Sequence, residues 1–486
     1  MNQEQEKQLL QAIYDRLFDA VTYSPSGGKN PFTEDETFIH FSKNAVVDTK
    51  SFINPKSPSN PGGDLKTSEA FSRLVDQVSP MSFEWQPSGN PLSNIYKNIV
   101  DGANASTKPD ENAKKIYDKA YEFLHPLKTE KNPFTDETIT TRTNSDDYVA
   151  YEENMSDYID AVVAYRSQYN LYLDNLVSPD ETVRSKADAN WQAKAPELEN
   201  RIKKALRQLS VGNGKYVEQA LDILNTTVND GIRLALSRAH ESVGEDRMFS
   251  SSLGFPEKWL FSYPSPANWV DENNPGFTEL KISGGSTTLR NKSTENKFSV
   301  DTSVKYGLWR VKSSAEGEFH HSTSSADKDS VEISAKIAKI SIMRPWFTES
   351  LFRLDHWYNS LTQEGGISNG KMDSTNRDKL IPMYPVAFVV AKDISIKADF
   401  SHEEEEHIKQ SLKTSASVGF GPFSIAGSYG YGKTEDRMEC DFQNGEIKVP
   451  GMQIIAWVSR LIPYSPKMSV PENVTQGKQQ EDLMSV

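Results

Sequence analysis

Leu412-Lys-Thr-Ser-Ala-Ser-Val-Gly-Phe-Gly-Pro-Phe-Ser-Ile-Ala-Gly-Ser-Tyr-Gly-Tyr-Gly-Lys-Thr434 supports two readings with different consequences. Gly427 to Thr434 spells the phosphate-cradling pattern GxxxxGK[ST], which needs a buried strand before it and a helix beginning at the Lys. The same residues continue a two-residue alternation: Leu412, Thr414, Ala416, Val418, Phe420, then Phe423, Ile425, Gly427, Tyr429, Tyr431. Context decides for the alternation. The residues after Thr434, Glu435 to Glu446, are too poor in apolar side chains for a packed helix, and Phe423–Ala426 before the motif is short and half polar. No apolar strand ending in a magnesium-binding Asp follows. We read a Gly/Tyr-rich antiparallel hairpin turning at Gly421-Pro422, and no nucleotide site.

The alternation recurs upstream. Val300, Thr302, Val304, Tyr306 and Leu308 share one face of a strand; Val331, Ile333, Ala335 and Ile337 share another, then shift phase into Ile340 and Ile342, which predicts a β-bulge. Apolar strands are expected at Val386–Val390, Ile394–Ile396 and Met452–Val458, with a short helix over Thr348–Leu361. Two Ser- and Gly-rich amphipathic hairpin regions result, about 298 to 342 and 401 to 434. Strands of about 9 to 11 residues with one apolar face span a bilayer when closed into a barrel. An ordinary sheet with one wet face gives the same alternation. The candidate membrane or interface residues are Val300, Val304, Tyr306, Leu308, Val331, Ile333, Val418, Phe420, Phe423 and Ile425.

Between Asp146 and Leu176 the period changes to steps of three and four: Tyr148, Tyr151, Met155, Tyr158, Val162, Tyr165, Tyr169, Tyr172, Leu176. That is a long helix of about 45 Å with a coiled-coil-like seam. Its tyrosines (Tyr148, Tyr151, Tyr158, Tyr165, Tyr169, Tyr172) form the candidate oligomer seam, since each buried hydroxyl wants a partner; a seam within the chain is the other reading. A second helix runs from about Glu181 to Leu209, kinked or broken at Pro196, and a third carries Val217 to Leu236.

The N-terminal part holds a degenerate duplication. Ile13-Tyr-Asp-Arg16 recurs as Ile116-Tyr-Asp-Lys119, and Lys29-Asn-Pro-Phe-Thr33 as Lys131-Asn-Pro-Phe-Thr135, each followed by Asp-Glu-Thr. We read a helix, a turn and a Phe anchor in each copy, as docking units or as a duplication serving packing. The expected fold class is α+β, divided into 1–145, the duplicated helix and Asn-Pro-Phe region; 146–245, a long-helix bundle; and 246–486, a β-rich, mainly antiparallel domain with the two hairpin regions.

Net charge is −14 over 486 residues and mean hydropathy is −0.62. No basic stripe exists, so a nucleic-acid partner is not expected. Glu130 to Asp160 holds nine acids against two bases but no EF-hand spacing, and reads as a solvated acidic surface. The first residues show no secretory signal and the single Cys440 excludes an intramolecular disulfide framework, which suits cytoplasmic synthesis, with any export by a non-signal route. His402 and His407 stand five apart, not on one helical face, so no metallopeptidase pair is expected. His356 beside Asp355 lacks a nucleophile elbow to serve. No catalytic, metal or cofactor-binding residue is assigned. The expectation is a non-enzymatic, self-assembling protein that inserts into membranes, pore-forming toxin-like, through its C-terminal hairpins. The alternatives are a structural or adaptor protein binding partner proteins, and an enzyme with an unrecognised site.

Overall fold

The computed structural model describes residues 1–22, 35–42, 46–57, 60, 62–86, 89–105, 111–131, 138–176, 178, 180–210, 213–226, 231–271, 276–284, 308–312, 319–322, 326–413, 417–426 and 440–470. Val300, Val304, Tyr306, both Pro-Phe pairs of the duplication and Gly427–Thr434 lie outside the described residues. The chain begins with α1 (Gln3–Thr22), β1 (Thr37–Phe41), α2 (Leu65–Val75), α3 (Leu92–Gly102), β2 (Ala103–Ala105), α4 (Glu111–Leu124), β3 (Leu127–Lys131) and β4 (Thr138–Arg142). The long helices α5 (Asp146–Leu176) and α6 (Glu181–Ser210) follow, then α7 (Gly214–Thr226) and α8 (Gly231–Ser242). The last part holds β5 (Tyr263–Ser265), β6 (Thr278–Ser283), β7 (Trp309–Lys312), β8 (Phe319–Ser322), β9 (Glu332–Met343), β10 (Trp357–Asn359) and β11 (Met383–Lys397). It ends with α9 (His402–Lys413), β12 (Ser417–Phe420), β13 (Phe423–Ala426), β14 (Asp441–Gln443), β15 (Glu446–Val449) and β16 (Gln453–Leu461).

Local chemistry starts the helices where the sequence predicts. The Ser145 hydroxyl accepts from the Tyr148 N–H at 3.1 Å and two acids, Asp146 and Asp147, occupy the first turn of α5. Asp180 accepts from the Thr182 N–H at 2.8 Å and opens α6. Pro196 lies inside α6 without ending it. The expected third helix is described as α7 and α8, on either side of residues 227–230. The helix expected over Thr348–Leu361 is a 3₁₀ turn, Glu349–Arg353, after which His356, at φ 60°, leads into β10. Burial of Trp357, Tyr358 and Asn359 against β2 outweighs local helical pattern there.

One antiparallel sheet organises the molecule. The 15-residue β11 is its spine: β9 flanks one side, while β16 and then β15 flank the other. Strand β1 pairs with β16, so the first segment of the chain completes the sheet of the last. The phase change in β9 is not a bulge in β9. Its partner β11 carries the extra residue, between Lys392 and Ser395, with Asp393 at φ 51°. Strand β9 instead serves two cores in turn. Ile333, Ala335 and Ile337 face a core shared with α1; Ala338, Ile340 and Ile342 face the opposite one, built on Phe71, Trp85, Trp269 and Trp457.

Candidate functional site

At one end of the sheet, four neighbouring strands finish in a single row. Ser283 of β6 is paired with Glu332 of β9, Glu332 with Lys397 of β11, and Lys397 with Glu446 of β15. Two connections leave this row: residues 284–331 join β6 to β9, and residues 398–445 join β11 to β15. Each is 48 residues long. The row separates two faces. Glu279, Lys281, Lys336, Lys397 and Lys448 are exposed on one, while Leu280, Ile282, Ile333, Ile396 and Ile447 are buried on the other.

The two connections meet in a second, small sheet, ordered β13-β12-β7-β8. Its register repeats that of the large sheet. Glu332 is opposite Lys397, and 23 residues along each connection Trp309 is opposite Phe420. Lys397 is opposite Glu446, and 23 residues along each arm Phe420 is opposite Phe423. Three of the four arms are therefore paired near their far ends in the order and register of the strands they spring from. The β7–β8 pair departs from this: Trp309 is opposite Ser322, where the β6–β9 register would place residue 306.

The turn between β12 and β13 is Gly421-Pro422, as the sequence predicts, with Gly421 at φ 54°. It is the midpoint of the second connection. Leu308 lies at the midpoint of the first. Both are sheltered beneath α1: a Cβ at Gly421 would lie 3.3 Å from Ile13 Cδ1 and 3.7 Å from Leu10 Cδ2. Leu308, Val331, Ile333, Val418, Phe420, Phe423 and Ile425 are all buried in the core that α1 shares with the sheet. On the polar side of the small sheet, Ser424 exchanges two hydrogen bonds with the Gln453 amide, 2.6 and 3.0 Å. The wholly buried Arg310 donates to Ser42 O at 3.4 Å.

The tyrosine seam is filled from within the chain. Tyr165, Tyr169 and Tyr172 surround Trp191 of α6 at 5.4, 5.3 and 5.4 Å. Tyr158 packs against Ile202 and Leu209, and the hydroxyls of Tyr151 and Tyr172 donate to Glu218 and Asp188 at 3.2 and 2.9 Å. Tyr148 lies edge-on to His125 at 5.4 Å.

A cavity of about 1190 Å³ separates α5 from β5 and the end of β9, lined among others by Tyr148, Glu152, Asp160, Arg344, Glu349 and Arg460. Two members of the acidic block thus turn inward rather than into solvent. Burial pushes the Glu152 carboxyl up to about 7, against hydrogen bonds from Tyr148 and Asn144. Burial raises Asp160 to about 6, opposed by Lys339, whose own ammonium burial lowers to about 8. Burial also acts to raise Glu349, but the Arg460 guanidinium at 2.6 Å and the Tyr384 hydroxyl outweigh it and hold it low. Asp355, the carboxylate beside His356 in sequence, is paired with Lys467 at 2.6 Å. Among the described residues no group of three His, Cys, Asp or Glu side chains could hold a metal ion, and no helix is long and apolar enough to cross a membrane.

The common row and the shared register escaped the sequence reading, although one signal for them is printed in the sequence. Tyr306-Gly-Leu-Trp309 and Phe420-Gly-Pro-Phe423 stand at the two midpoints, each an aromatic-Gly-x-aromatic tetrapeptide. Comparison with known proteins finds no matching family model, no matching curated protein and no matching solved structure.

Proposed function

We propose that this is the compact form of a self-assembling, membrane-inserting protein, in which residues 284–331 and 398–445 unfold into two long β-hairpins that continue β6, β9, β11 and β15. The observation that carries the reading is the coincidence of register and phase. Counting by twos from the buried Ile282 reaches Phe298, Val300, Thr302, Val304 and Tyr306; from Ile396 it reaches Leu412, Thr414, Ala416, Val418 and Phe420. Counting back from Ile333 reaches Phe319, Ala315, Val311 and Trp309; from Ile447, Tyr431, Tyr429, Ile425 and Phe423. Over about the nine residues nearest each tip, all four extended arms keep their large apolar residues on the sheet's apolar face and place mainly Ser, Gly, Lys and acids on the other, as a lipid face and a wet lumen require; nearer the sheet the alternation lapses, with Leu289, Met438 and Phe442 on the wet side. The nine or so residues nearest each tip suffice to span, since about 9 to 11 are needed. The aromatic tips suit a bilayer interface.

Self-assembly follows from the same physics. Four strands leave two open edges, which hydrocarbon does not tolerate, so they must close with strands of other copies. An aqueous channel needs about 16 strands, hence at least about four copies. Dye release from vesicles of neutral, anionic and sterol-containing lipid, with light scattering for assemblies, tests this. Leakage accompanied by oligomers is expected. Oligomers without leakage on any lipid would favour the adaptor reading, and a monomer that neither leaks nor assembles would end both.

A further inference from the structure

The midpoints of both connections are the parts that must reach the membrane first, yet they are among the most deeply buried residues of the chain. Leu308, Phe420 and Phe423 are 0 % exposed. Their cover comes from the sheet, from Phe400 and Ile408 of the second connection, and from α1. Helix α1 belongs neither to the sheet nor to either connection, and its apolar face (Leu9, Leu10, Ile13, Leu17) lies in the same core as the two midpoints. It is also fastened to the first connection. The Met1 amino group donates to Ala326 O at 2.9 Å and Lys328 Nζ to Gln8 Oε1 at 3.4 Å. On its far side Arg16 and Asp19 pair with Asp174 and Arg166 of α5, and the Tyr14 hydroxyl accepts from the Ile39 N–H of β1 at 3.2 Å.

We infer that α1 is an internal lock: it holds both connections folded back by covering their midpoints, and its displacement is the step that frees them together. This rests on the reading given under Proposed function, but the cover itself is a property of the compact form. With α1 in place, the tips cannot leave without passing its apolar face. With α1 displaced, the small sheet keeps its own hydrogen bonds and loses one side of its packing, so it is the unit that loosens while the spine of the large sheet stays paired.

Hydrogen exchange on the full chain separates the lock from the pore. Ile13→Ala, or Leu10→Ala should the first variant fail to fold, is expected to speed exchange of residues 308–312 and 417–426 by about tenfold or more and to leave 386–392 of β11 unchanged. Unchanged exchange at 417–426, or equal acceleration in β11, overturns the lock. In a Cys440→Ser background, Gln8→Cys and Lys328→Cys joined by a bismaleimide tie α1 to the first connection. Vesicle leakage is expected to slow by about tenfold or more compared with the unlinked protein, and leakage at an unchanged rate also overturns the proposal. If no form of the protein leaks any vesicle, the membrane reading falls, and the exchange result alone decides whether α1 locks the small sheet.

Discussion

The backbone N–H of Gly421 donates to the carbonyl oxygen of Leu308 at 2.8 Å, so the midpoints of two connections of equal length touch each other. Neither residue is near the other in sequence, and neither connection needs the other to close its own hairpin. The bond joins the turn of β12–β13 to the start of β7, and it lies where α1 covers both.

Gly421 should tolerate no side chain. At φ 54° an L-residue is strained, and an added Cβ would press on Ile13 at 3.3 Å. Gly421→Ala is expected to cost about 1 to 3 kcal/mol, read as a lower urea midpoint at unchanged slope. An unchanged midpoint would mean the turn is not held against α1.

Buried histidines and a buried carboxyl give stability opposite dependences on pH. Burial holds His40 down at about 3 from its ordinary 6.5, with Nδ1 at 2.7 Å from Ser82 O. Its contribution is complete above 6.5 and falls by about 1.4 kcal/mol per pH unit below that, until its folded value is passed. His125, lowered to about 4 by burial, adds the same sense. Glu152, raised to about 7, works the other way: its contribution is complete below 4.5 and is lost as pH rises through 7. Urea unfolding at pH 7.5, 5.5 and 4.5 should show a slope below 6.5 that His40→Gln reduces. A slope identical in the variant would refute the assignment.

The tyrosine seam is a matter of sedimentation as much as stability. If Trp191 is what Tyr165, Tyr169 and Tyr172 were waiting for, Trp191→Ala should destabilise the chain by about 2 kcal/mol and leave its sedimenting mass unchanged. Loss of oligomers with intact stability would place the seam between copies instead.

What the sequence made legible was the face of each element, and what it hid was the partner. A three-four period reports that α5 has an apolar stripe but not that α6 supplies Trp191 to it, because periodicity carries no address. The alternation over 417–425 located a hairpin and its Gly421-Pro422 turn, since turn chemistry is local, but Leu412, counted in the same alternation, lies in helix α9. Pairing of Phe38 with Ser459 spans nearly the whole chain and leaves no local trace, so the first segment's membership of the sheet was invisible. The β9 phase change was misread as a bulge because a strand that serves two cores in succession imitates one. The acids Glu152 and Asp160 sat in a block whose composition spoke for solvent, and only packing against the sheet turned them inward.

The sharpest prediction concerns which pairings survive insertion. Val311 is opposite Val418 across β7–β12, in the register of β9–β11; Val311 is also opposite His320 across β7–β8, in a register that the β6–β9 pair does not share. Directly opposed antiparallel residues lie about 4.5 to 5.5 Å apart at Cα, within reach of a disulfide. In a Cys440→Ser background, an oxidised Val311→Cys/Val418→Cys pair joins two arms that stay neighbours in the extended sheet, so dye release should proceed. An oxidised Val311→Cys/His320→Cys pair holds β8 in the place that the arm ending at Tyr306 must take. Release should then be blocked, and restored by reductant. If both disulfides block, the small sheet re-pairs during insertion and its shared register is accidental. If neither blocks, β7 and β8 stay together and the tip of the first hairpin lies further along, between Lys312 and Phe319, rather than at Gly307-Leu308.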